Sequence, residues 1–240
     1  MKVFLAATSD KSFIPNIDKS IYTLESFYYV QSWQIPLIKK WNMFLLDSGA
    51  FTFMNNAKNA NFDSYLDEYI KFINDNDVRY FFELDVDSVV GYKKVLEYRR
   101  KLEKETGKPC IPVWHKSRGK EEWLKMCDSY DYVAVGGIVT KEIGNKDYPV
   151  FTWLLNEAHK RGCKVHGLGF TNLKELKRYK FDSVDSTSWK SGGRFGQCHV
   201  FENGTIKTVT QKSKRAIYRK LDESNFNKWL KFQKYADVCL

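Results

Sequence analysis

Short apolar runs alternate along the chain with longer stretches of mixed polarity. Strand-like runs occur at Lys2–Ala7, Tyr22–Phe27, Met43–Asp47, Tyr80–Asp85, Cys110–His115, Tyr132–Gly136, Lys164–Gly169 and Phe181–Ser186. Most are separated by amphipathic segments. Tyr65, Leu66, Tyr69, Ile70 and Ile73 form a stripe of helical period, with Asp63 or Ser64 as the expected N-cap. Leu173, Leu176 and Tyr179 follow Thr171 in the same fashion and predict another helix. Repeated βα units predict a parallel sheet, and eight strands buried on both faces predict a closed (β/α)8 TIM-type barrel of the α/β class. A doubly wound sheet would carry a Gly-rich phosphate loop after its first strand, where this chain has Ala6-Ala7-Thr8-Ser9.

Beyond the eighth run the pattern changes. Cys198–Phe201 and Thr205–Val209 flank Glu202-Asn203-Gly204, and Asn-Gly predicts a hairpin turn. A basic stretch from Lys212 leads into a helical tail whose apolar face holds Phe226, Trp229, Leu230 and Phe232. The expected organisation is one domain over 1–240, with the barrel over residues 1–190 and the hairpin and helical tail over 191–240.

Composition narrows the setting. Hydrophobic residues make up 43% of the chain and aromatics 16%, enough for a large core, so disorder is not expected. No apolar run approaches the roughly 18 residues that cross a bilayer, and Val3–Ala7 is too short for a signal-peptide core. Cys110, Cys127, Cys163, Cys198 and Cys239 are scattered without disulfide-framework or zinc spacing, and reduced cytoplasmic thiols are expected. Lys and Arg exceed Asp and Glu by 39 − 29 = 10, a balance that suits a phosphate-bearing partner.

In such a barrel the active site lies at the carboxyl ends of the strands. There the sequence places Asp47-Ser48-Gly49-Ala50-Phe51, Glu83-Leu84-Asp85, Trp114-His115, Gly136-Gly137-Ile138, His166-Gly167-Leu168-Gly169 and Asp185-Ser186. A single strand-end aspartate is an ordinary capping residue. Several converging on one mouth carry a cost in like-charge repulsion that chemistry justifies. Paired carboxylates without a metal set suit cleavage at an anomeric carbon, one attacking the sugar while another manages protons. Carboxylates also accept the N–H groups of a planar base, and Phe51, Trp114 and His166 are candidates for its wall.

These motifs resemble those of the tRNA-guanine transglycosylases. Asp47-Ser48-Gly49-Ala50-Phe51 is similar to the family's DSGG-aromatic motif, and Leu84-Asp85 to its second base-reading aspartate. Gly136-Gly137-Ile138-Val139 resembles its GGLAVGE segment, with Glu142 as the spaced glutamate, and His166-Gly167-Leu168-Gly169 resembles its MGVG turn. Gly193-Arg194-Phe195-Gly196-Gln197 resembles its GRNGQ block, and counting back from Arg194 puts the family's catalytic aspartate on Asp185. Asp182, in Phe181-Asp182-Ser183-Val184, is the alternative and requires a three-residue shift. The chain departs from the family in having no zinc-binding Cys/His cluster, in its shorter length, and in carrying Trp114 or His115 where a base-reading glutamine is common. In these respects it is more similar to the compact zinc-free phage and bacterial enzymes that insert 7-deazaguanines into DNA.

The resemblance implies an exchange of guanine in DNA for a 7-deazaguanine such as 7-cyano-7-deazaguanine, through a covalent aspartyl-nucleotide intermediate. It implies Asp185 as nucleophile, Asp47 in proton transfer and base contact, and Asp85 reading the base edge. Ser48, Gly49, Phe51, Trp114, His115, Gly136, Gly137, Ile138, His166 and Gly167 would line the base pocket, while Lys190, Arg194 and Arg118 would meet phosphates. No cofactor, metal or membrane is implied. Host cytoplasm is the expected location if the chain is phage-encoded, and a homodimer or an accessory protein is left open. Three rivals remain: the same exchange on tRNA, a nucleic-acid-binding module without catalysis, and a metal-dependent hydrolase using His115 and His166.

Overall fold

All eight apolar runs contain strands: β1 (Lys2–Ala6), β2 (Tyr22–Ser26), β3 (Met43–Asp47), β4 (Tyr80–Phe81), β5 (Val113–Trp114), β6 (Tyr132–Val135), β7 (Lys164–Gly167) and β8 (Ser183–Ser186). The structure is a computed structural model that describes residues 1–50, 52–53, 61–210 and 218–240. The strands pair in parallel in the order β4-β3-β2-β1-β8-β7-β6-β5, a curled sheet consistent with a TIM-like fold but without the ladder between β4 and β5 that would close the expected barrel.

Most connections carry helices: α1 (Ile35–Ile38), α2 (Phe62–Asn76), α3 (Asp87–Val90), α4 (Tyr92–Thr106), α5 (Gly119–Ser129), α6 (Val150–Lys160) and α7 (Ser191–Phe195). The predicted stripe Tyr65, Leu66, Tyr69, Ile70 and Ile73 is the buried face of α2. Its cap is Asn61, not Asp63 or Ser64: the Asn61 side chain accepts the Ser64 N–H at 3.1 Å, which places Asp63 inside the first turn. The helix expected after Thr171 is replaced by successive turns, with Tyr179 N–H bonded to Glu175 O at 2.9 Å. Leu176 and Tyr179 are still buried, and the Tyr179 ring packs against Phe151 and Phe170.

Side-chain alternation sorts the strand residues into two apolar groups. Phe4, Ala6, Tyr22, Leu24, Leu45, Phe82, Ile111, Val113 and Ala134 fill the concave side of the sheet. Their neighbours Val3, Leu5, Phe44, Leu46, Phe81, Trp114, Val133 and Val165 belong to the outer layer, beneath the helices.

Beyond α7, strands β9 (Gln197–Glu202) and β10 (Thr205–Thr210) form the antiparallel hairpin, turning at Asn203 and Gly204, both at positive φ (52° and 71°) as Asn-Gly turns require. The tail helix α8 (Tyr218–Cys239) buries Phe226, Trp229 and Phe232, while the basic stretch of residues 211–217 lies outside the described residues. Gln233 of α8 works as a ladder segment: its amide donates to Val3 O and Tyr22 O, and its carbonyl accepts Tyr22 N–H at 3.2 Å. No helix among the described residues is long and apolar enough to cross a membrane.

The seam between β4 and β5 departs from expectation. Both strands are shorter than the runs Tyr80–Asp85 and Cys110–His115, and they meet at one bridge, Phe82 with Ile111. The next donor facing β4, Val113 N–H, bonds at 2.8 Å to the side chain of Glu83. Glu83 is fully buried and also takes Arg99 Nε at 2.6 Å and Arg118 Nη1 at 2.8 Å. Arg118 grips Asp87 with two bonds of 2.6 Å and lies over Tyr92 at 4.3 Å. Burial alone would lower both guanidinium pKa values, but the facing carboxylates more than offset it. Removing one member of a buried ion cluster strands the others. Glu83→Leu is therefore expected to cost ~3–5 kcal/mol in urea unfolding, whereas Lys71→Met, in an exposed pair with Asp75, leaves the midpoint unchanged.

Candidate active site

Asp47, His115, Gly136, His166 and Asp185 occupy concave-side positions at the carboxyl ends of their strands, and Asp85 follows β4 at the same end. Asp182 sits at the opposite end, where it accepts Val165 N–H at 2.8 Å and His159 Nε2 at 2.9 Å. Of the two candidate aspartates, Asp185 alone stands with Asp47 and Asp85.

Asp185 is 9% exposed and is held through one oxygen. Its Oδ1 accepts Gly169 N–H at 2.6 Å and lies 3.3 Å from His166 Nε2. His166 Nδ1 faces Ser183 Oγ at 2.7 Å, and Ser183 also bonds Tyr132 Oη. A consistent proton order runs through this chain: Tyr132 donates to Ser183, Ser183 to Nδ1, and Nε2–H to Asp185. Burial pushes the Tyr132 phenol well up, which keeps it a donor. Both contacts fall on Oδ1 and leave Oδ2 without a partner among the described residues.

Asp47 Oδ2 accepts Gly49 N–H at 3.1 Å. Burial, then the charge of Asp85, and more weakly that of Asp185, push the Asp47 carboxyl up to about 7, against the Gly49 bond. The aspartates therefore share one field, and Asp47 is poised to hold or release a proton near neutrality.

His115 lies between two carboxylates. Its Nε2 is 3.2 Å from Asp85 Oδ2, and its Nδ1 is 3.1 Å from Glu142 Oε2. Gly136 and Gly137 make room for this pair. A Cβ on Gly136 would lie 2.8 Å from the His115 ring, and one on Gly137, at φ 78°, would lie 2.7 Å from Glu142. Gly169, at φ 67°, similarly has no space beside Val139. The glycines expected to bare backbone to a ligand thus also seat the polar side chains of the mouth.

Other expected site residues lie elsewhere. Trp114 is buried on the outer side of β5, donating to Gly119 O at 2.8 Å and packing on Trp123, so it does not join the aspartates. Ser48 is buried, and its carbonyl accepts Tyr65 Oη at 2.6 Å. Gly49 turns the chain at φ 67° against Ser26 and Tyr28. Gly167 faces Phe170 and Phe181, while Ile138 is half-buried against the outer core. Phe51 lies outside the described residues. Arg118, expected to meet phosphates, has a side chain only 1% exposed and is bound to Glu83 and Asp87, so it has no free face to offer. Arg194 is exposed on α7, and Lys190 Nζ bonds Ser9 Oγ at 3.0 Å. Among the described residues no group of three His, Cys, Asp or Glu side chains is arranged to hold a metal ion.

Glu83 and Glu25, given no role among the expected site residues, are both buried. Glu25 is buried near the end of β2, bonded to the Thr8 N–H and hydroxyl, and burial pushes it up to about 7 against those bonds and Lys190. The available signal was a glutamate inside an apolar strand run, as in Tyr22-Thr23-Leu24-Glu25 and Phe81-Phe82-Glu83-Leu84. No family model and no curated protein matches the chain.

The raised Asp47 has a measurable sign. Between the ordinary carboxylate value and about pH 7 the folded state holds a proton that the unfolded state has released, so ionised Asp47 costs stability at higher pH and the cost fades as pH drops towards 4. Asp47→Asn is expected to raise the melting temperature by a few degrees at pH 8 and by much less at pH 4.5, read by calorimetry.

Proposed function

We propose that this chain is a pentosyltransferase on a (β/α)8 barrel, exchanging guanine in DNA for a 7-deazaguanine derivative through a covalent aspartyl-nucleotide intermediate. The observation that carries the reading is Asp185, fixed through Oδ1 with Oδ2 unpartnered among the described residues, in one field with Asp47 and Asp85.

Asp185 Oδ2 attacks the sugar C1′ as the bond to guanine N9 breaks, and Asp47, protonated near neutrality, gives its proton to the departing base. The incoming deazaguanine returns its ring N–H proton to Asp47, attacks C1′, and frees Asp185. Asp85 accepts from the N–H edge of either base, with backbone at Gly137 and Ile138 as further contacts. A target nucleotide leaves its stack to reach such a mouth. Arg194 and Lys190 supply cations for flanking phosphates, and the excess of basic over acidic side chains favours a polyanion.

Radiolabelled guanine offered with duplex DNA, single-stranded DNA or tRNA tests the reading. Label entering DNA supports it, label entering tRNA alone moves the same chemistry to RNA, and label entering neither polymer overturns it. Asp185→Asn is expected to lower incorporation by at least about a thousandfold, as loss of a covalent nucleophile does.

A further inference from the structure

We infer that His115 is a positioning residue, a doubly hydrogen-bonded clip that fixes Asp85 against Glu142 and so presents its carboxylate to the base in one orientation. The inference rests on reading Asp85 as the residue that accepts the base edge.

The geometry requires a particular ring. The nitrogens of His115 face opposite ways, each about a hydrogen bond from a carboxylate oxygen, Asp85 Oδ2 at 3.2 Å and Glu142 Oε2 at 3.1 Å. Carboxylates only accept, whereas a neutral imidazole has one donor and one acceptor. A neutral ring would therefore turn a lone pair towards one of the carboxylates. The charged ring donates to both. Glu142 is itself tied down, since its other oxygen accepts Ser117 N–H at 3.0 Å.

The groups around the ring agree. Asp85 reaches it from the end of β4, Glu142 from the segment after β6, and Arg118 from the turn after β5. Burial lowers the His115 pKa most strongly and Arg118 repels the charge, yet Asp85 and Glu142 together leave it above the ordinary histidine value. The glycine pair supplies an independent sign of a built arrangement. Gly136 and Gly137 leave space that a Cβ would take from the ring and from Glu142 respectively.

The clip has a function in a mouth crowded with acids. Asp47 is driven towards its neutral form by Asp85 and Asp185. His115 gives Asp85, the acceptor, a counter-charge and a fixed donor, while Asp47, pushed up by burial and its neighbours, is the proton carrier. As pH rises past the His115 transition, the ring keeps only one of its two donors, so the clip opens on one side, Asp85 is held less firmly and base binding weakens.

Histidine Cε1–Hε1 resonances of the full chain, titrated by NMR, test the clip without any activity. The His115 signal is assigned by its loss in His115→Gln. The expected transition lies above that of an ordinary histidine, and Asp85→Asn and Glu142→Gln each lower it. A transition at or below the ordinary value, or one that neither variant moves, overturns the clip. In exchange assays with labelled guanine, His115→Gln is expected to raise KM for the base about tenfold, the loss of one charge-assisted hydrogen bond, with kcat within about twofold. A fall in kcat at unchanged KM contradicts it. If the wild-type chain exchanges no base, the proposed reaction fails, while the NMR result still decides the clip.

Discussion

Between β4 and β5 the backbone makes a single bridge, and the carboxylate of Glu83 holds the strands where the ladder stops. Its acceptors take a main-chain donor of β5, Arg99 from α4 and Arg118 from the turn leading into α5. A lone buried carboxylate would be costly, but two guanidinium groups and an amide satisfy this one. The residues around it serve the mouth: Asp85 is two positions after Glu83, and His115 is three before Arg118, whose N–H bonds His115 O at 2.9 Å. The ion cluster that joins the strands therefore also sets the distance between Asp85 and His115. An outer layer of charge fixes an inner one.

Within the mouth, charge is divided by environment rather than by residue type. Asp185 rests on a chain of hydroxyl, phenol and imidazole groups that fixes one oxygen. Asp85 faces a histidine that also meets Glu142, and Asp47 has one backbone amide against burial and two like charges. Three aspartates thus acquire three different tendencies: a held acceptor whose second oxygen has no partner among the described residues, a paired acceptor, and a carboxyl pushed up to about 7. Chemistry at an anomeric carbon needs such a separation of nucleophile, base contact and proton carrier.

Much of this was legible in the sequence because the strand-end residues stand out against apolar runs. Asp47, Asp85, His115, His166 and Asp185 were readable for that reason, and the spacing that favoured Asp185 over Asp182 agrees with their positions at opposite ends of β8. Facing direction was harder to read. A strand buried on both sides carries no polar alternation, so Trp114 looked as available as His115, although adjacent residues point to opposite faces. Ile111, Val113 and His115 share the concave side, and Trp114 belongs with Trp123. Arg118 misled for a related reason: a basic residue in a loop suggests phosphate, and only the fold brings Glu83 and Asp87 to it. After Thr171 successive turns bury Leu176 and Tyr179 in place of the expected helix, because a helical period marks the buried face without fixing the backbone.

The proposed reaction stands or falls on a bond from Asp185 to the sugar. Mass spectrometry of the intact protein after incubation with a guanine-containing oligonucleotide, followed by peptide mapping, tests it most directly. An adduct is expected on the peptide containing Asp185, absent from Asp185→Asn and discharged by added guanine. An adduct mapped to Asp47, Asp85 or Asp182, or one retained in Asp185→Asn, would contradict it.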